Sequence, residues 1–198
     1  MTPPRSAPPT DARTDPLRAQ LLDAATRVFA REGYEGTKIM DIVREARLST
    51  GAVYGRFRSK NDLLREAIIR STAALQHGSE GAVRFAEILT RGTRVPKGPL
   101  TDSEAVRLEA YVTARREPEV AHALAEAHER WRRAVLPLYE AALADGTLRP
   151  DADPEAVMFL FRTLWLGVLL HRGSGLPSPD PEAWEALLEL VAESLAAK

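Results

Sequence analysis

The sequence predicts an all-α protein, and three observations support this class. Apolar residues recur at spacings of three and four along most of the 198 residues, as in amphipathic helices. Apolar and polar residues do not alternate for long with a period of two, so no strand is expected. Clusters of proline, glycine and aspartate near residues 96–99, 145–150 and 173–181 separate segments of helical length. We therefore expect about nine helices.

The first two helices should form the start of a small N-terminal domain. A helix over residues 17–32 has one apolar face, and Gly33 follows it as the left-handed residue that ends many helices. Thr37 is the expected N-cap of a short second helix, which ends at Ala46. Both helices would bury aliphatic and aromatic side chains on one side.

Two more helices follow closely. Ser49 is the expected N-cap of a short helix, and Leu48 and Val53 have the spacing of a hydrophobic staple. Ser59 then begins a longer helix, and Asp62 stands three residues later, as in a capping box.

The remaining predicted helices form the body of the protein. Pro137 lies inside the longest of them and should kink or split it, because proline removes a backbone donor. The segments cover residues 82–92, 102–116, 118–144, 153–171 and 181–197.

Charge is distributed unevenly along the chain. The net charge is −1, yet residues 1–60 carry +4 and residues 61–198 carry −5. This asymmetry indicates a basic, anion-binding head on an acidic body.

Composition restricts the possible classes of protein. There is no cysteine, so disulfides and thiolate chemistry are excluded and a cytosolic protein is favoured. The longest apolar stretch, residues 157–170, is interrupted by Arg162 and Thr163, so no membrane span is expected. Residues 1–16 are rich in proline and lack the apolar core of a signal peptide, which predicts a flexible arm.

The short helix after Ser49 contains two glycines, which weaken it. Two short helices joined by a tight turn, with a long helix before them, are typical of a helix-turn-helix head. With Val53 and Phe57 inward, the outward side carries small or hydroxyl-bearing residues, which allow close approach to a major groove. Arg56 and Lys60 lie nearby, and the next helix N-terminus offers N–H groups to a phosphate.

The same region resembles a known family. The stretches A-Q-L-L-D-A-A-T-R-V-F-A-R-E-G-Y-E-G-T, I-M-D-I-V-R-E-A and L-S-T-G-A-V-Y-G-R-F-R-S-K-N-D-L-L resemble the DNA-binding domain of the tetracycline-repressor (TetR) family. The resemblance covers residues 17–64. Arg47 stands where the family has glycine in the turn, and Val43 where it has alanine.

The resemblance implies a homodimer that binds double-stranded DNA at a palindromic operator and releases it on binding a small effector. Tyr54 and Lys60 would contact phosphates, and Thr50 and Gly51 would face base edges. The expected DNA-contacting residues are Thr37, Met40, Arg47, Ser49, Thr50, Gly51, Ala52, Tyr54, Arg56 and Lys60. For Arg47 a solvated charge is the alternative. Arg5 and Arg13 are either part of an inert tail or reach a minor groove.

The body, residues 65–198, should bind the effector and form the dimer. The helix over 153–171 is apolar nearly all round, which predicts burial on every side, partly against a second subunit. Together with the last helix it would form a four-helix bundle, as the family does. The expected interface residues are Phe159, Leu166, Trp184, Leu187, Leu188, Val191 and Leu195.

Aromatic residues of the middle helices are either plain core or the lining of an effector cavity. Arg162 either pairs with a carboxylate or faces that cavity. Because aromatic candidates outnumber charged ones, we expect a mainly apolar effector. The candidate lining residues are Arg107, Tyr111, His128, Trp131, Tyr139, Phe161, Arg162 and Trp165.

The sequence offers two alternative classes of function. Glu119, His122 and Glu126 have a spacing found in di-iron sites, but no second copy of the motif is present. No nucleotide-binding or nucleophile motif occurs either, so no catalytic residue, metal or cofactor is expected. A helical scaffold that does not bind DNA is the other alternative. The favoured hypothesis is a ligand-responsive, cytoplasmic transcriptional repressor.

Overall fold

The computed structural model describes residues 15–73, 93–95 and 98–196. Within these ranges the chain forms eight helices and one isolated backbone bridge, between Leu148 and Ala196. The expected helix near 82–92 and residues 1–14 of the arm lie outside the described residues. The helices are α1 (Pro16–Gly36), α2 (Ile39–Ala46), α3 (Thr50–Tyr54), α4 (Lys60–Ala73), α5 (Asp102–Thr113), α6 (Pro118–Ala144), α7 (Pro154–Gly173) and α8 (Pro181–Leu195).

One apolar cluster joins the head to the body. It begins with Phe29 of α1 and Val53 of α3, and it continues through Leu64 and Ile68 of α4 to Val106 of α5. Helix α4 packs against α1 on one side and against α5 and α6 on the other. Helix α1 also packs directly against α5, so α4 and α1 together fix the helix-turn-helix head to the body.

A second apolar cluster lies in the other half of the body. Tyr139 of α6, Phe161 of α7 and Leu148 are buried together there. Helix α6 remains a single helix through Pro137, so the expected split is not observed. Its proline is exposed, and the long buried faces on either side hold the helix together.

Most of the predicted caps are confirmed. Ser49 Oγ accepts a hydrogen bond from the Ala52 amide at 3.3 Å. Ser59 Oγ accepts one from the Asp62 amide at 3.1 Å, while the Asp62 carboxylate accepts from the Arg58 amide. The reciprocal bond of the capping box is therefore displaced by one residue.

The assignment of Thr37 as an N-cap is wrong. Helix α1 breaks at Gly33, where φ is +69°, and then continues for a last turn to Gly36. Thr37 closes this turn: its side chain is buried and its hydroxyl donates to the Gly33 carbonyl at 2.6 Å. Lys38 is the N-cap residue of α2, and its amide donates to Asp41 Oδ2.

Helix α7 is not buried on every side within one chain. Val157, Phe161 and Leu169 face the interior, whereas Phe159 and Leu170 are exposed. By length and composition alone, α7 is the one described helix that could cross a membrane. Core helices of other proteins pass the same test, so this is weak evidence.

The turn between α2 and α3 depends on Arg47, which is left-handed with φ +53° and ψ +39°. Such a conformation costs a non-glycine residue about 1–2 kcal/mol. A glycine at this position would avoid that cost, but it would also increase the conformational entropy of the unfolded chain, which offsets part of the gain. We expect Arg47→Gly to raise the free energy of unfolding by roughly 0.5–1 kcal/mol, measured by urea denaturation.

Arg44→Gly is the matched control, since Arg44 lies within α2 and is also exposed. This change should lower the free energy of unfolding by about 1 kcal/mol. If both variants lose similar stability, the turn does not hold Arg47 in a strained conformation.

Candidate nucleic-acid interface

An exposed surface joins α2 and α3. Thr50 Oγ1 lies 3.9 Å from Met40 Sδ, so the two helices meet at this edge. Ser49, Gly51 and Tyr54 are exposed beside them. We call these five residues, Met40, Ser49, Thr50, Gly51 and Tyr54, the α3 surface.

Gly51 and Gly55 lack a side chain for different physical reasons. A Cβ on Gly55 would lie 3.2 Å from the Gly51 carbonyl oxygen, so Gly55 serves the packing of the chain itself. A Cβ on Gly51 would meet only Ser49 Oγ, at 3.9 Å, and α3 could hold a larger residue there. The absence of a side chain at Gly51 therefore leaves room for something outside the protein.

The interior side of α3 orients this surface. Val53 and Phe57 are fully buried, and Ala52 is half-buried. Because α3 is only five residues long, these two apolar anchors determine which residues point outward. Thr50 and Tyr54 are left on the opposite, exposed side.

Arg56 faces the interior of the head rather than the α3 surface. Its Nε donates to Asp15 Oδ2 at 2.6 Å, and its Nη1 donates to the Ala52 carbonyl at 3.2 Å. Asp15 is also the N-cap of α1 and accepts from the Leu17 amide. Arg56 thus ties the start of α1 to α3, which argues against a phosphate contact.

Lys60 is held in place by Tyr34. Its Nζ donates to the Tyr34 carbonyl at 2.7 Å and lies 4.1 Å from the centre of the Tyr34 ring. The Tyr34 hydroxyl in turn donates to Asn61 Oδ1, and burial raises the pKa of this hydroxyl. An ammonium has three N–H donors, so two remain for a phosphate.

Two exposed cations of the head were not among the DNA contacts expected from the sequence. Lys38, immediately before α2, and Arg58, between α3 and α4, are both exposed. Their position beside helix N-termini was the available signal, since N–H groups and cations bind a phosphate together.

Arg47 lies at another edge of the head. It is exposed and lines a surface cleft of about 280 Å³ between α1 and α2. The cleft contains as many acidic as basic residues, so it has no net charge. Its lining residues are Arg31, Glu32, Asp41, Arg44, Glu45 and Arg47.

Polar contacts orient the head on the body. Glu109 Oε1 of α5 accepts from the Tyr34 amide at 2.7 Å. Asn61 Nδ2 of α4 donates to Glu119 Oε2 at 3.1 Å, and Arg65 donates to Glu126 at 2.9 Å. Two carboxylates of the alternative metal motif therefore have partners on α4.

The expected effector-binding residues separate into groups. Arg107 is buried with its guanidinium 5.0 Å from the Trp165 ring centre, and Tyr111 is half-buried one turn further along α5. His128 stacks on Trp131 at 5.7 Å, and burial lowers the pKa of His128.

The remaining expected lining residues are Tyr139, Phe161 and Arg162. Tyr139 and Phe161 belong to the second apolar cluster, and burial raises the pKa of Tyr139 above its ordinary value. Arg162 is half-buried and lies 5.7 Å from the Phe159 ring centre. After burial, its charge is the next cause of the lowered pKa of His128.

The residues expected at the dimer interface differ in their exposure. Phe159 is 61% exposed and Leu187 50% exposed, whereas Leu188 is only 2% exposed and packs inside its own chain. Trp184 donates from Nε1 to the Thr93 carbonyl at 2.8 Å. Leu166 is half-buried, and Val191 and Leu195 pack against the second cluster. Leu188 is therefore withdrawn from the expected interface.

The helix-turn-helix head, its open α3 surface and its helical body define a class, the DNA-binding transcriptional regulators. The chain belongs to the TetR family of these regulators. Residues 21–67 match the model of bacterial regulatory proteins of the tetR family, and residues 111–181 match that of a tetracyclin repressor-like C-terminal domain.

Full-length relatives agree with this assignment. The chain is 31% identical to the HTH-type transcriptional repressor KstR2 of Rhodococcus jostii, over 99% of this chain and 98% of that protein. It is 26% identical to the repressor AcnR of Corynebacterium diphtheriae, over 90% of both chains. The protein is thus a ligand-responsive DNA-binding regulator of the TetR family.

Solved structures share the fold. Salmonella enterica GusR superimposes with a TM-score of 0.78 and 22% identity, over 94% of this chain and 99% of that one. The reduced form of Escherichia coli NemR gives 0.71 and 19%, over 92% and 99%. At these identities the likeness concerns the fold alone.

The ion pair between Asp15 and Arg56 makes a prediction about pH. The hydrogen bond from Arg56, with those from the Leu17 and Arg18 amides, lowers the pKa of Asp15 below its ordinary value of 3.8. A lowered pKa stabilises the folded state above the ordinary value, and this stabilisation is lost as the pH falls through the folded-state pKa.

Asp15→Asn keeps an N-cap residue and removes the charge. Its deficit in stability relative to the wild type should be full above about pH 5 and should shrink below pH 3.8. Urea denaturation at a series of pH values measures this difference in the free energy of unfolding. In an Arg56→Gln background the deficit should be smaller at neutral pH. An equal deficit at every pH would show that the ion pair contributes nothing.

Proposed function

We propose that the protein is a repressor that binds a palindromic operator as a homodimer and leaves it when a small, mainly apolar effector binds. The observation that carries the DNA part is the open space at Gly51 between exposed Thr50 and Tyr54. Among the described residues, only Ser49 Oγ comes within 4 Å of that space, whereas close approach to a major groove requires it. The regulator would act in the cytoplasm, where the DNA is.

The roles within the head follow from exposure and partners. Thr50 and Gly51 face base edges, with Met40 beside them, because they form the exposed edge of α3. Tyr54 and Lys60 contact phosphates on either side. We propose the exposed Lys38 and Arg58 as further phosphate contacts, in place of Thr37 and Arg56.

The exposed apolar face of the body supports a homodimer. On α7 it contains Phe159, Leu160 and Leu170, and on α8 it contains Leu187 and Leu190. A two-fold axis through this face would pair α7 and α8 with their copies and give the two heads the symmetry of a palindrome.

We infer that the chain is not an enzyme. Its homologues are transcriptional regulators, and the carboxylates of the Glu-x-x-His motif are occupied in the head–body contact. Among the described residues, no cluster of three potential metal ligands occurs.

DNA selected from random sequences provides an operator for the first test. Lys60→Gln should weaken binding to all duplexes alike and reduce the slope of log affinity against log salt by about 0.9 per head. Thr50→Ala should instead relax the base preference at one position per half-site, by about 1–3 kcal/mol. Fluorescence anisotropy over a salt series measures both.

Arg65→Gln is the matched control, because it removes one charge at an ion pair with Glu126 on the head–body contact. Its salt slope should equal that of the wild type. If Lys60→Gln also leaves the slope unchanged, Lys60 does not contact the backbone of the DNA.

The assembly is tested with Phe159→Glu combined with Leu187→Glu. Two charges per subunit would be buried in a desolvated interface, at a cost of several kcal/mol. Sedimentation should then show monomers, and operator affinity should fall strongly although the heads are unchanged. Val112→Glu with Leu138→Glu adds the same charge at exposed positions of α5 and α6 and should leave a dimer. A dimeric first variant would place the interface elsewhere.

A further inference from the structure

Arg107 is a buried cation that forms no ion pair with any described residue. Burial lowers the pKa of its guanidinium, and the charge of Glu104 on the same helix opposes this shift. The residue is only 7% exposed, and its Nη1 is buried without a hydrogen-bond partner in the described part of the chain. Within the described residues, its Nε donates to the Ser103 carbonyl of the same helix, at 3.2 Å. The ion pairs of the described residues place no carboxylate within 4.0 Å of it.

A second buried arginine lies in the same interface between α5 and α7, which we call the α5–α7 seam. Arg172 has a side chain only 7% exposed and pairs through Nη1 with Glu104 at 2.6 Å. Its Nε is buried and has no partner among the described residues. Glu104 also accepts from the Thr101 amide at 2.8 Å. The three side chains carry a net charge of +1, and two donor nitrogens, Arg107 Nη1 and Arg172 Nε, have no partner among the described residues.

Helical spacing places these groups on facing sides of α5 and α7. Glu104, Arg107 and Tyr111 follow at three and four residues on α5, and Trp165 and Arg172 are seven apart on α7. Arg107 lies over the Trp165 ring, and Arg172 binds Glu104. The unused donors therefore belong to one seam.

The end of the seam near Gly173 is closed. A Cβ on Gly173 would lie 2.6 Å from Leu108 Cδ2 and 3.2 Å from Leu100 Cδ1, so the helices touch there. Away from Gly173, the seam continues past Arg107 to the apolar side chains of Trp165 and Tyr111.

An uncompensated buried cation is expensive, and a folded chain normally gives it a counter-charge. Trp165 compensates only part of this cost, because a cation–π contact supplies no counter-charge. A carboxylate or phosphate bound to the free donors would add charge-assisted hydrogen bonds, which are the strong ones.

We propose that this seam binds the effector through an anionic oxygen group. Arg107 Nη1 and Arg172 Nε hold the carboxylate or phosphate, and the apolar part of the molecule lies along Trp165 and Tyr111. The inference rests on the proposed function and narrows its effector, from a mainly apolar molecule to an amphipathic anion.

The test uses the full-length protein and probes with one apolar chain and different head groups. These are decanoate, decyl phosphate, 1-decanol and decyltrimethylammonium, together with inorganic phosphate. Calorimetric titration should show one or both decyl anions binding about 10- to 100-fold more tightly than 1-decanol. Arg107→Gln should abolish this preference, and Arg107→Lys should keep part of it. Arg116→Gln, at an exposed position beyond α5, should behave as the wild type.

A second measurement separates a binding role from a structural one. Because the unbound site holds an unpaired charge, Arg107→Gln should unfold at no lower urea concentration than the wild type when no probe is present. The decyl anions should raise the wild-type midpoint and leave that of Arg107→Gln unchanged.

Several results would overturn the proposal. These are equal binding of decanoate, decyl phosphate and 1-decanol, no binding of either decyl anion, preference for the decyl cation, binding of inorganic phosphate alone, or a large loss of stability in unliganded Arg107→Gln. Operator binding by the wild type without any probe tests the proposed function separately. A protein that binds its operator but ignores anions therefore contradicts this inference only.

Discussion

The structure depends on the burial of one face of α4. Leu63, Leu64, Ala67 and Ile68 lie in an apolar cluster shared with α1 on one side and with α5 and α6 on the other. Apolar burial is strong but has no direction, so this cluster unites head and body without fixing their mutual angle. Any movement of α5 or α6 must act on the helix that begins at Lys60.

The angle between head and body is set by the polar contacts around that cluster. Glu109 holds the Tyr34 amide, Tyr34 holds Lys60, and Asn61 holds Glu119. Arg107 lies two residues before Glu109 on the same helix. A ligand at the α5–α7 seam would thus bind the helix that also positions the end of α1 and, through Tyr34, Lys60, for which we propose a phosphate contact.

Positive charge in the head has two separate uses. Arg18 and Arg56 face inward: Arg56 pairs with Asp15, and Arg18 donates to the Arg56 carbonyl while lying over Phe57. Lys38, Arg47 and Arg58 remain exposed. Net charge alone therefore overstates what the head offers to DNA, because some cations stabilise the frame that carries α3.

Local rules allowed the all-α class, the Ser49 cap, the turn at Arg47 and the inward anchors Val53 and Phe57 to be predicted from sequence, since periodicity and capping act over a few residues. Only the tertiary structure decided that Thr37 and Leu188 are internal, that Arg56 pairs with Asp15, and that Arg107 forms no ion pair with a described residue. Arg56 and Asp15 lie 41 positions apart, and Arg172 and Glu104 lie 68 apart. Helical periodicity shows which side of a helix is apolar but not which neighbour covers it. The sequence by itself thus determined the elements and the exposed edge of α3. The fold decided which charges face inward, because that depends on distances between helices.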